Sequence, residues 1–312
     1  MSEKIMSEEL HSLYTHCTLC PRRCGIDRTA GRTGRCGMSA DLTAARAALH
    51  LWEEPCLTGP NGAGTVFFTG CSLGCIFCQN SEISHDNHGW SLSARDLADI
   101  FLNLQDQGAA NIDLVTACHY VPHVIAALEN AKDRGLTIPI LYNSSGYESV
   151  GTLRLLDGLI DIYLPDFKYL DPNLAACLSG AADYPDRAKE ALAEMVRQIP
   201  DPVISENGLM RRGIIVRHLL LPGHVREAKN VVNYLHTTYG DNIFISLLRQ
   251  YTPTDAVTDD PLLGRRVTRR EYDRLVDCAV SIGITNGFIQ EGASAKQSYI
   301  PSFRGEGLPA HD

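Results

Sequence analysis

Short apolar runs rich in β-branched residues alternate with longer amphipathic segments over most of this chain. The apolar runs predict strands and the amphipathic segments predict helices, because the two structures repeat with different periods. After a first strand that ends near residue 68, strands are predicted at 112–116, 138–142, 160–164, 213–221 and 243–248, with a further one at 288–292. Helices are predicted at 93–107, 122–134, 149–156, 225–239 and 269–281, with one or two more inside 171–199.

This alternation predicts an α/β fold with a parallel sheet, since parallel strands need crossover connections, and these are right-handed. About six βα units without the glycine fingerprint of a dinucleotide-binding fold favour a partial (β/α)6, TIM-like barrel. We predict two parts: 1–64 is a small cysteine-rich segment with a lead-in, and 65–312 is the partial barrel with a C-terminal extension. Within the first part, 1–14 is predicted as a short polar helix, and 42–52 fits either a strand or a helix.

Composition is ordinary for a soluble globular protein, with 44% hydrophobic and 21% charged residues among 312. The net charge of −9 argues against a general nucleic-acid partner, which would favour a basic excess. No apolar run is long enough to predict a transmembrane helix, and the first residues lack the apolar core of a signal peptide. We therefore expect a cytoplasmic protein without a membrane partner.

Three closely spaced cysteines follow the first predicted strand, in the pattern Cys71-x3-Cys75-x2-Cys78 after Gly70. A closed zinc site needs four ligands, whereas an iron–sulfur cluster is held by thiolates on a short loop. Three ligands leave one iron free to bind another molecule. The alternative is three small buried residues beside a glycine turn, but the loop is polar and rich in glycine.

This loop resembles the signature of radical S-adenosylmethionine (SAM) enzymes, and the resemblance extends over most of the chain from residue 65. Within that superfamily the sequence is similar to the branch of pyruvate formate-lyase activating enzyme. The segments that carry this closer similarity are 70–80, 163–169, 216–219 and 222–223. The resemblance implies the partial barrel typical of radical SAM enzymes.

The resemblance also implies an activity. Cys71, Cys75 and Cys78 would hold a [4Fe–4S] cluster whose open iron chelates the amino and carboxylate groups of SAM. One electron from the cluster would cleave SAM to methionine and a 5′-deoxyadenosyl radical, which abstracts hydrogen. Within this branch, the implied target is a glycine of a glycyl-radical enzyme, and the implied electron donor is of the flavodoxin or ferredoxin type.

Residues just after parallel strands lie at one edge of a sheet, where ligands bind. On that basis Asn143, Asp166, Lys168 and Arg217 are candidate SAM-binding residues, and the resemblance places Asp166 and Lys168 at the SAM site. Arg217, in a strongly apolar run, needs an anionic partner, for which the SAM carboxylate is a candidate. No single catalytic residue is assigned.

The segment 116–120 departs from the Gly-Gly-Glu-Pro-like sequence that binds the SAM amino group in related activating enzymes. That contact would then fall to Thr116 or to backbone carbonyls. His119 fits either a proton donor or a packed, hydrogen-bonded histidine. Cys118 is predicted at the barrel mouth, where a reactive role is conceivable, and Cys177 and Cys278 are predicted as packing residues in helices.

A second cysteine set, Cys17-x2-Cys20-x3-Cys24-x11-Cys36, lies in the N-terminal segment. Four thiolates fit either zinc or an auxiliary iron–sulfur cluster, and such a metal can supply the folding free energy that a small segment lacks. The alternative is a segment without metal. The arginines around this set fit a solvated face, or they offset thiolate charge or contact an acidic partner or nucleic acid. They are Arg22, Arg23, Arg28, Arg32 and Arg35.

Two other functions are compatible with these patterns. The first keeps the radical SAM chemistry but directs it at a small molecule or a peptide instead of a partner protein. The second is a non-catalytic metal-binding or nucleic-acid-binding protein built on the N-terminal cysteine set. The acidic net charge and the polar groups at the strand ends count against the second.

Overall fold

The computed structural model describes residues 6–290 and 301–309. Its strands join into one sheet of ten strands within these ranges. The strands are β1 (Thr43–His50), β2 (Ala63–Phe68), β3 (Trp90–Ser91), β4 (Ile112–Val115), β5 (Ile140–Ser144), β6 (Ile162–Pro165), β7 (Val203–Ile204), β8 (Met210–Leu219), β9 (Phe244–Leu248) and β10 (Gly287–Ile289).

The strand order is β10-β9-β8-β6-β5-β4-β2-β1-β3, with β7 paired to β8. The run from β2 to β10 in this order is parallel throughout, whereas β1 is antiparallel to both β2 and β3. Helices connect the parallel strands and cover the outer face of the sheet with apolar side chains. The prediction of an α/β partial barrel is therefore confirmed.

The helices of four or more residues are α1 (Glu8–Ser12), α2 (Pro55–Thr58), α3 (Ser81–Ser84), α4 (Ala94–Asp106), α5 (Val121–Asp133), α6 (Val150–Leu155), α7 (Pro172–Ser179), α8 (Tyr184–Gln198), α9 (Val225–Tyr239) and α10 (Arg269–Ser281). Ser93 is the N-cap of α4, as predicted, and shares a capping box with Asp96. The predicted bounds of α9 and α10 are confirmed. In both helices, apolar residues at helical spacing face the core.

Three segments need comment. The segment 42–52 forms a strand, β1, which joins the sheet although it lies in the predicted N-terminal part. The strand predicted at 138–142 begins two residues later, at Ile140, as β5. Pro139 has no N–H to donate to a neighbouring strand, and the N–H of Ile140 donates to the Asp161 carboxylate at 2.8 Å. Part of the strand predicted at 288–292 forms β10, and residues 291–292 lie outside the described residues.

Inward and outward positions alternate along the parallel strands. Ile140 and Tyr142 of β5 pack outward against the helices, whereas Leu141 packs inward. The helix α2 closes the lower end of the barrel, where Cys56 and Leu57 pack against inward residues of β5, β6 and β8. The apolar floor formed by α2 leaves the polar inward positions above it, towards the carboxyl ends of the strands.

The described C-terminal residues pack on β1. The backbone N–H of Ala47 donates to the Glu306 carbonyl at 2.9 Å, and Arg46 forms an ion pair with Glu306 at 2.7 Å. Phe303 makes an edge-to-face contact with Phe67 of β2, at 5.3 Å between ring centroids. Among the described residues, no helix is long and apolar enough to cross a membrane.

Candidate active site

The cysteine loop is fixed at its start and in its middle. Gly70 follows β2 with φ = +87°, and a Cβ there would lie 2.3 Å from Met38 Cγ, so only glycine fits. The backbone N–H groups of Gly74 and Ile76 donate to the carbonyls of Ser179 and Leu178, at 3.2 and 3.0 Å. The last turn of α7 therefore fixes the loop over the barrel.

The three thiols of this loop interact with one another. Burial, followed by the negative charges of Cys75 and Cys78, raises the pKa of Cys71 to about 12. The sulfurs of Cys75 and Cys78 lie 2.9 and 3.2 Å from the hydroxyl oxygens of Ser179 and Ser84. Metal coordination deprotonates such thiols outright, and hydrogen bonds to the sulfurs tune the resulting site. Three mutually close thiols on one short loop fit an iron–sulfur cluster.

Arg217 is the centre of a charged layer inside the barrel. Its Nε donates to Asp166 at 3.1 Å, its Nη1 donates to Glu53 at 3.1 Å, and its Nη2 donates to Asn143 at 2.5 Å. Lys168 Nζ donates to the other oxygen of Asp166 at 2.6 Å. The structure thus brings together all four predicted SAM-binding residues, and their roles towards SAM stay predictions.

The anionic partners of Arg217 differ from the one expected. The sequence suggested the SAM carboxylate, but two carboxylates of the chain itself, Glu53 and Asp166, pair with the guanidinium. Asn143 was placed after a strand, whereas it lies within β5 and accepts from Arg217. Arg217 is therefore held in place before any ligand binds.

Glu53 was not predicted as a site residue. It follows β1 and directly precedes the N-cap of α2, so the helix that floors the barrel also carries a carboxylate into the charged layer. Its neighbour Glu54 is buried as well. The sequence contained one signal for Glu53: two adjacent acidic residues precede Pro55 in an apolar stretch. Carboxylates are rarely buried without a partner, so acidic residues in such a stretch indicate a site where they are paired.

The carboxylates of this layer do not share one protonation state. Burial opposes ionisation of Asp166, but the charges of Lys168 and Arg217 outweigh it and hold the pKa of its carboxyl below the usual range. Burial, followed by the charge of Glu53, raises the pKa of Asp113 well above its ordinary value. Within the described residues, Asp113 Oδ1 and Glu54 Oε2 have no hydrogen-bond partner. Two cations thus hold Asp166 in its ionised form, whereas Asp113 favours its neutral form.

The charged layer lies next to the cysteine loop. The positive charge of Lys168 acts on both Cys71 and Cys75 and favours their ionised forms. Gln79, directly after Cys78, donates from its side chain to the carbonyl of Gln250 at 3.0 Å. Lys168 thus interacts electrostatically with the cysteine loop and forms an ion pair with Asp166 of the charged layer.

Two residues predicted near the mouth are packed instead. His119 is buried, with Nε2 at 2.7 Å from the Thr69 carbonyl oxygen, and burial lowers its pKa to about 3. This favours the packed, hydrogen-bonded alternative. Cys118 is also buried, and burial raises the pKa of its thiol, which disfavours a reactive thiolate. Thr116 has φ = +61°, a strained backbone at the end of β4.

The isolated cysteines differ from one another. Cys56 packs in the apolar floor of the barrel. Cys177 was expected to pack inside a helix, but it lies on the exposed face of α7. Cys278 on α10 is half-buried. Among residues 6–290 and 301–309, no group of three or more His, Cys, Asp or Glu side chains surrounds a point where one metal ion could bind.

The chain resembles several known proteins. It is 27% identical over 277 residues to the Uncharacterized protein MJ0674 of Methanocaldococcus jannaschii, across 86% of this chain and 75% of that protein. Its fold resembles methylornithine synthase (PylB), with a TM-score of 0.49, 14% identity, and coverage of 93% of this chain and 82% of that chain.

It also resembles SuiB of Streptococcus suis bound to S-adenosylmethionine, with a TM-score of 0.47 and 14% identity, over 71% of this chain. The match covers 48% of SuiB, so the chain spans about half the length of that protein. At this level of similarity the solved structures say nothing about the activity of this chain. The family described as the Radical SAM superfamily matches residues 65–235. This match covers more than half of the 312 residues and includes both the cysteine loop and Arg217, and the chain belongs to the radical SAM superfamily.

Proposed function

We propose that this chain is a radical SAM enzyme that holds a [4Fe–4S] cluster on Cys71, Cys75 and Cys78 and binds SAM beside it. The observation that carries the proposal is the set of three interacting thiols on one loop, two of which, Cys71 and Cys75, lie within the electrostatic reach of Lys168. Family membership supports both cofactors. When bound, the cluster supplies one electron that cleaves SAM to methionine and a 5′-deoxyadenosyl radical, which abstracts hydrogen from the substrate.

The residues of the charged layer have separate tasks in this proposal. Lys168 is a partly exposed cation beside the cysteine loop, with 19% of its side chain accessible, and it binds the SAM carboxylate. Asp166 orients the Lys168 ammonium at 2.6 Å. Arg217 is fully engaged by Asp166, Glu53 and Asn143 and acts as a positioning residue for Asp166.

We further propose that the hydrogen comes from a glycine of a glycyl-radical enzyme and that a flavodoxin- or ferredoxin-type carrier donates the electron. The similarity of segments 70–80 and 163–169 to pyruvate formate-lyase activating enzyme supports this target. The departure at 116–120 weakens the similarity at the SAM amino group, where the carbonyls around the strained Thr116 take over that contact. A small molecule or a peptide is the competing target.

The cleavage reaction is tested with protein reconstituted anaerobically with iron and sulfide. With SAM and a chemical reductant, the chain should release 5′-deoxyadenosine and methionine in equal amounts, measured by mass spectrometry. The variant Cys71→Ser/Cys75→Ser/Cys78→Ser should lose this activity completely, whereas Cys177→Ser, an exposed thiol on α7, should retain it. Equal cleavage by the triple variant and the parent chain would refute the proposal.

The target is tested by following the abstracted hydrogen. A glycyl-radical enzyme is prepared with glycine deuterated at Cα and incubated with the reconstituted chain, SAM and reductant. Deuterium in 5′-deoxyadenosine, together with a glycyl radical signal in electron paramagnetic resonance, supports the proposed target. Cleavage of SAM without any deuterium transfer would overturn the partner-protein target and leave the small-molecule or peptide alternative.

A further inference from the structure

Within the described residues, the N-terminal segment buries a guanidinium that has no carboxylate partner. Arg28 is 1% exposed, so it does not belong to the solvated arginine face that the sequence suggested. Its N–H groups donate to the backbone carbonyls of Met38, Ser39 and His119, and Nη1 lies 3.8 Å from the sulfur of Cys17. Over residues 6–290 and 301–309 Arg28 forms no ion pair with Asp or Glu. Burying a cation without a counter-charge costs on the order of several kcal/mol of folding free energy.

The groups that can supply this counter-charge are cysteine sulfurs. Besides Tyr14, the electrostatic partners of Arg28 are Cys36 and Cys17. Both thiols are buried. A buried free cysteine behaves as a small neutral group, whereas a cysteine bound to a metal is a thiolate. The charge of Arg28 is therefore balanced when these two sulfurs are metal ligands.

The fold of the segment brings the cysteines of the N-terminal set near one another, and Cys20 lies within the electrostatic reach of Cys17 and Cys36. Backbone hydrogen bonds between Cys17 and both Gly25 and Ile26, each of 2.9 Å, fold the chain back on itself. The sulfur of Cys24 accepts the backbone N–H of Arg35 at 3.5 Å, which brings it beside the loop that carries Cys36. All four cysteines are free thiols. The described segment is thus a folded set of four thiols rather than a pair of disulfides.

The position of these thiols favours an iron–sulfur cluster over a single zinc ion. Zinc has no redox chemistry, whereas an iron–sulfur cluster exchanges electrons. Cys36 lines the same cavity as Cys71, one of the three proposed ligands of the active-site cluster.

The set is packed directly against the cysteine loop of the active site. Cys36 and Cys71 line the same cavity of about 310 Å³, together with Arg35 and Gly74. A Cβ on Gly70 would lie 2.7 Å from the carbonyl oxygen of Cys36, so the two loops touch through backbone atoms. A second metal centre here would be the immediate neighbour of the first.

We propose that Cys17, Cys20, Cys24 and Cys36 ligate an auxiliary iron–sulfur cluster, with Arg28 as its buried counter-cation. Four thiolates satisfy every iron of a cubane cluster, so this centre has no open position for a substrate and serves as a structural or redox centre. The inference goes beyond the proposed function, because it concerns a second set of cysteines. Its test is also independent, since iron at this set can be measured whether or not SAM is cleaved.

The test removes the active-site thiols and asks what metal remains. The full chain carrying Cys71→Ser/Cys75→Ser/Cys78→Ser is reconstituted anaerobically with iron and sulfide in the presence of zinc. Roughly four iron and four sulfide per chain are expected to remain, with the absorption and, after reduction, the paramagnetic resonance of a [4Fe–4S] cluster. Adding Cys17→Ser and Cys36→Ser should abolish this iron, whereas adding Cys177→Ser should not. Zinc alone in the triple variant, or no metal, would overturn the proposal.

The role of Arg28 is measured in the same triple-variant background. Arg28→Lys keeps the charge and should retain both the iron and the midpoint potential of the auxiliary cluster. Arg28→Gln removes the charge, so either its iron is lost or its potential becomes more negative, because a nearby cation favours the added electron. Equal iron content and equal potential in Arg28→Lys and Arg28→Gln would show that Arg28 does not compensate the cluster.

Discussion

Arg217 on β8 and Glu53, which precedes the barrel-floor helix α2, form an ion pair across the barrel interior, with 3.1 Å between Nη1 and Oε2. The pair links the closed lower end of the barrel to the layer that contains Asp166 and Lys168. Burial and the neighbouring Asp166 charge raise the pKa of Glu53, whereas the charge of Arg217 lowers it. The position of the proposed SAM-binding residues therefore depends on a segment far from the cysteine loop in the sequence.

Replacing Arg217 should expose this dependence. Arg217→Met leaves Glu53 and Asp166 without their cation, and breaking a buried pair from one side costs about 3–5 kcal/mol. Urea unfolding should show this loss, and SAM affinity should fall at the same time. The control is Arg211→Met, an exposed position on the same strand, which should change stability by less than about 0.5 kcal/mol. Equal stabilities of the two variants would contradict the network.

A glycine next to Asp166 gives a second prediction. Gly146 has φ = +76°, and a Cβ there would lie 2.1 Å from the Asp166 carbonyl oxygen. Gly146→Ala should displace Asp166, destabilise the fold by roughly 3 kcal/mol and weaken SAM binding. Gly158 is the matched control, since its φ is +80° but no atom lies within 4 Å of the added Cβ. Gly158→Ala should cost only about 1–2 kcal/mol of backbone strain and leave SAM affinity unchanged.

The buried Glu148 predicts a pH dependence of stability. Burial raises its pKa from 4.5 to about 8, although hydrogen bonds from Tyr142 and Ser144 oppose the shift. The folded chain thus keeps a proton that the unfolded chain releases above its ordinary pKa. The contribution is present at low pH and is lost as pH rises from about 4.5 towards 8.

Glu148→Gln keeps the shape and removes the titrating group. Relative to this variant, the parent chain should lose a few kcal/mol of unfolding free energy between about pH 5 and pH 8, at about 1.4 kcal/mol per pKa unit. Urea titrations of both proteins across this interval provide the measurement. Parallel pH profiles for the two proteins would show that Glu148 is already ionised in the fold.

The hydroxyl of Ser179 should tune the proposed cluster. Its oxygen lies 2.9 Å from the sulfur of Cys75 and 2.9 Å from the hydroxyl oxygen of Tyr169. Because hydrogen bonds to ligand sulfurs stabilise the reduced state, Ser179→Ala should make the midpoint potential more negative with iron content unchanged. Cys177→Ser on the same helix serves as the control. An unchanged potential would show that the Ser179 hydroxyl donates its hydrogen bond to Tyr169 and not to Cys75.

Much of the fold followed from local patterns. The apolar periodicity specified α4, α9, α10 and most parallel strands, and Ser93 marked the start of α4, because periodicity and N-capping act over a few residues. The cysteine loop was specific for the same reason: three thiols within eight residues have few other uses. Prediction was weaker at 42–52, where an alanine-rich pattern fits two structures until the neighbouring strand is known.

The sequence by itself determined the order of strands and helices, the family signature at Cys71, Cys75 and Cys78, and the placement of Asp166 near Lys168. Only the tertiary structure decided which charges meet, because buried ion pairs join residues that are distant in the chain. Glu53 reaches Arg217 across 164 positions. Arg28, one arginine of five around the N-terminal cysteines, is buried at Cys17, and neither pairing leaves a trace in local periodicity.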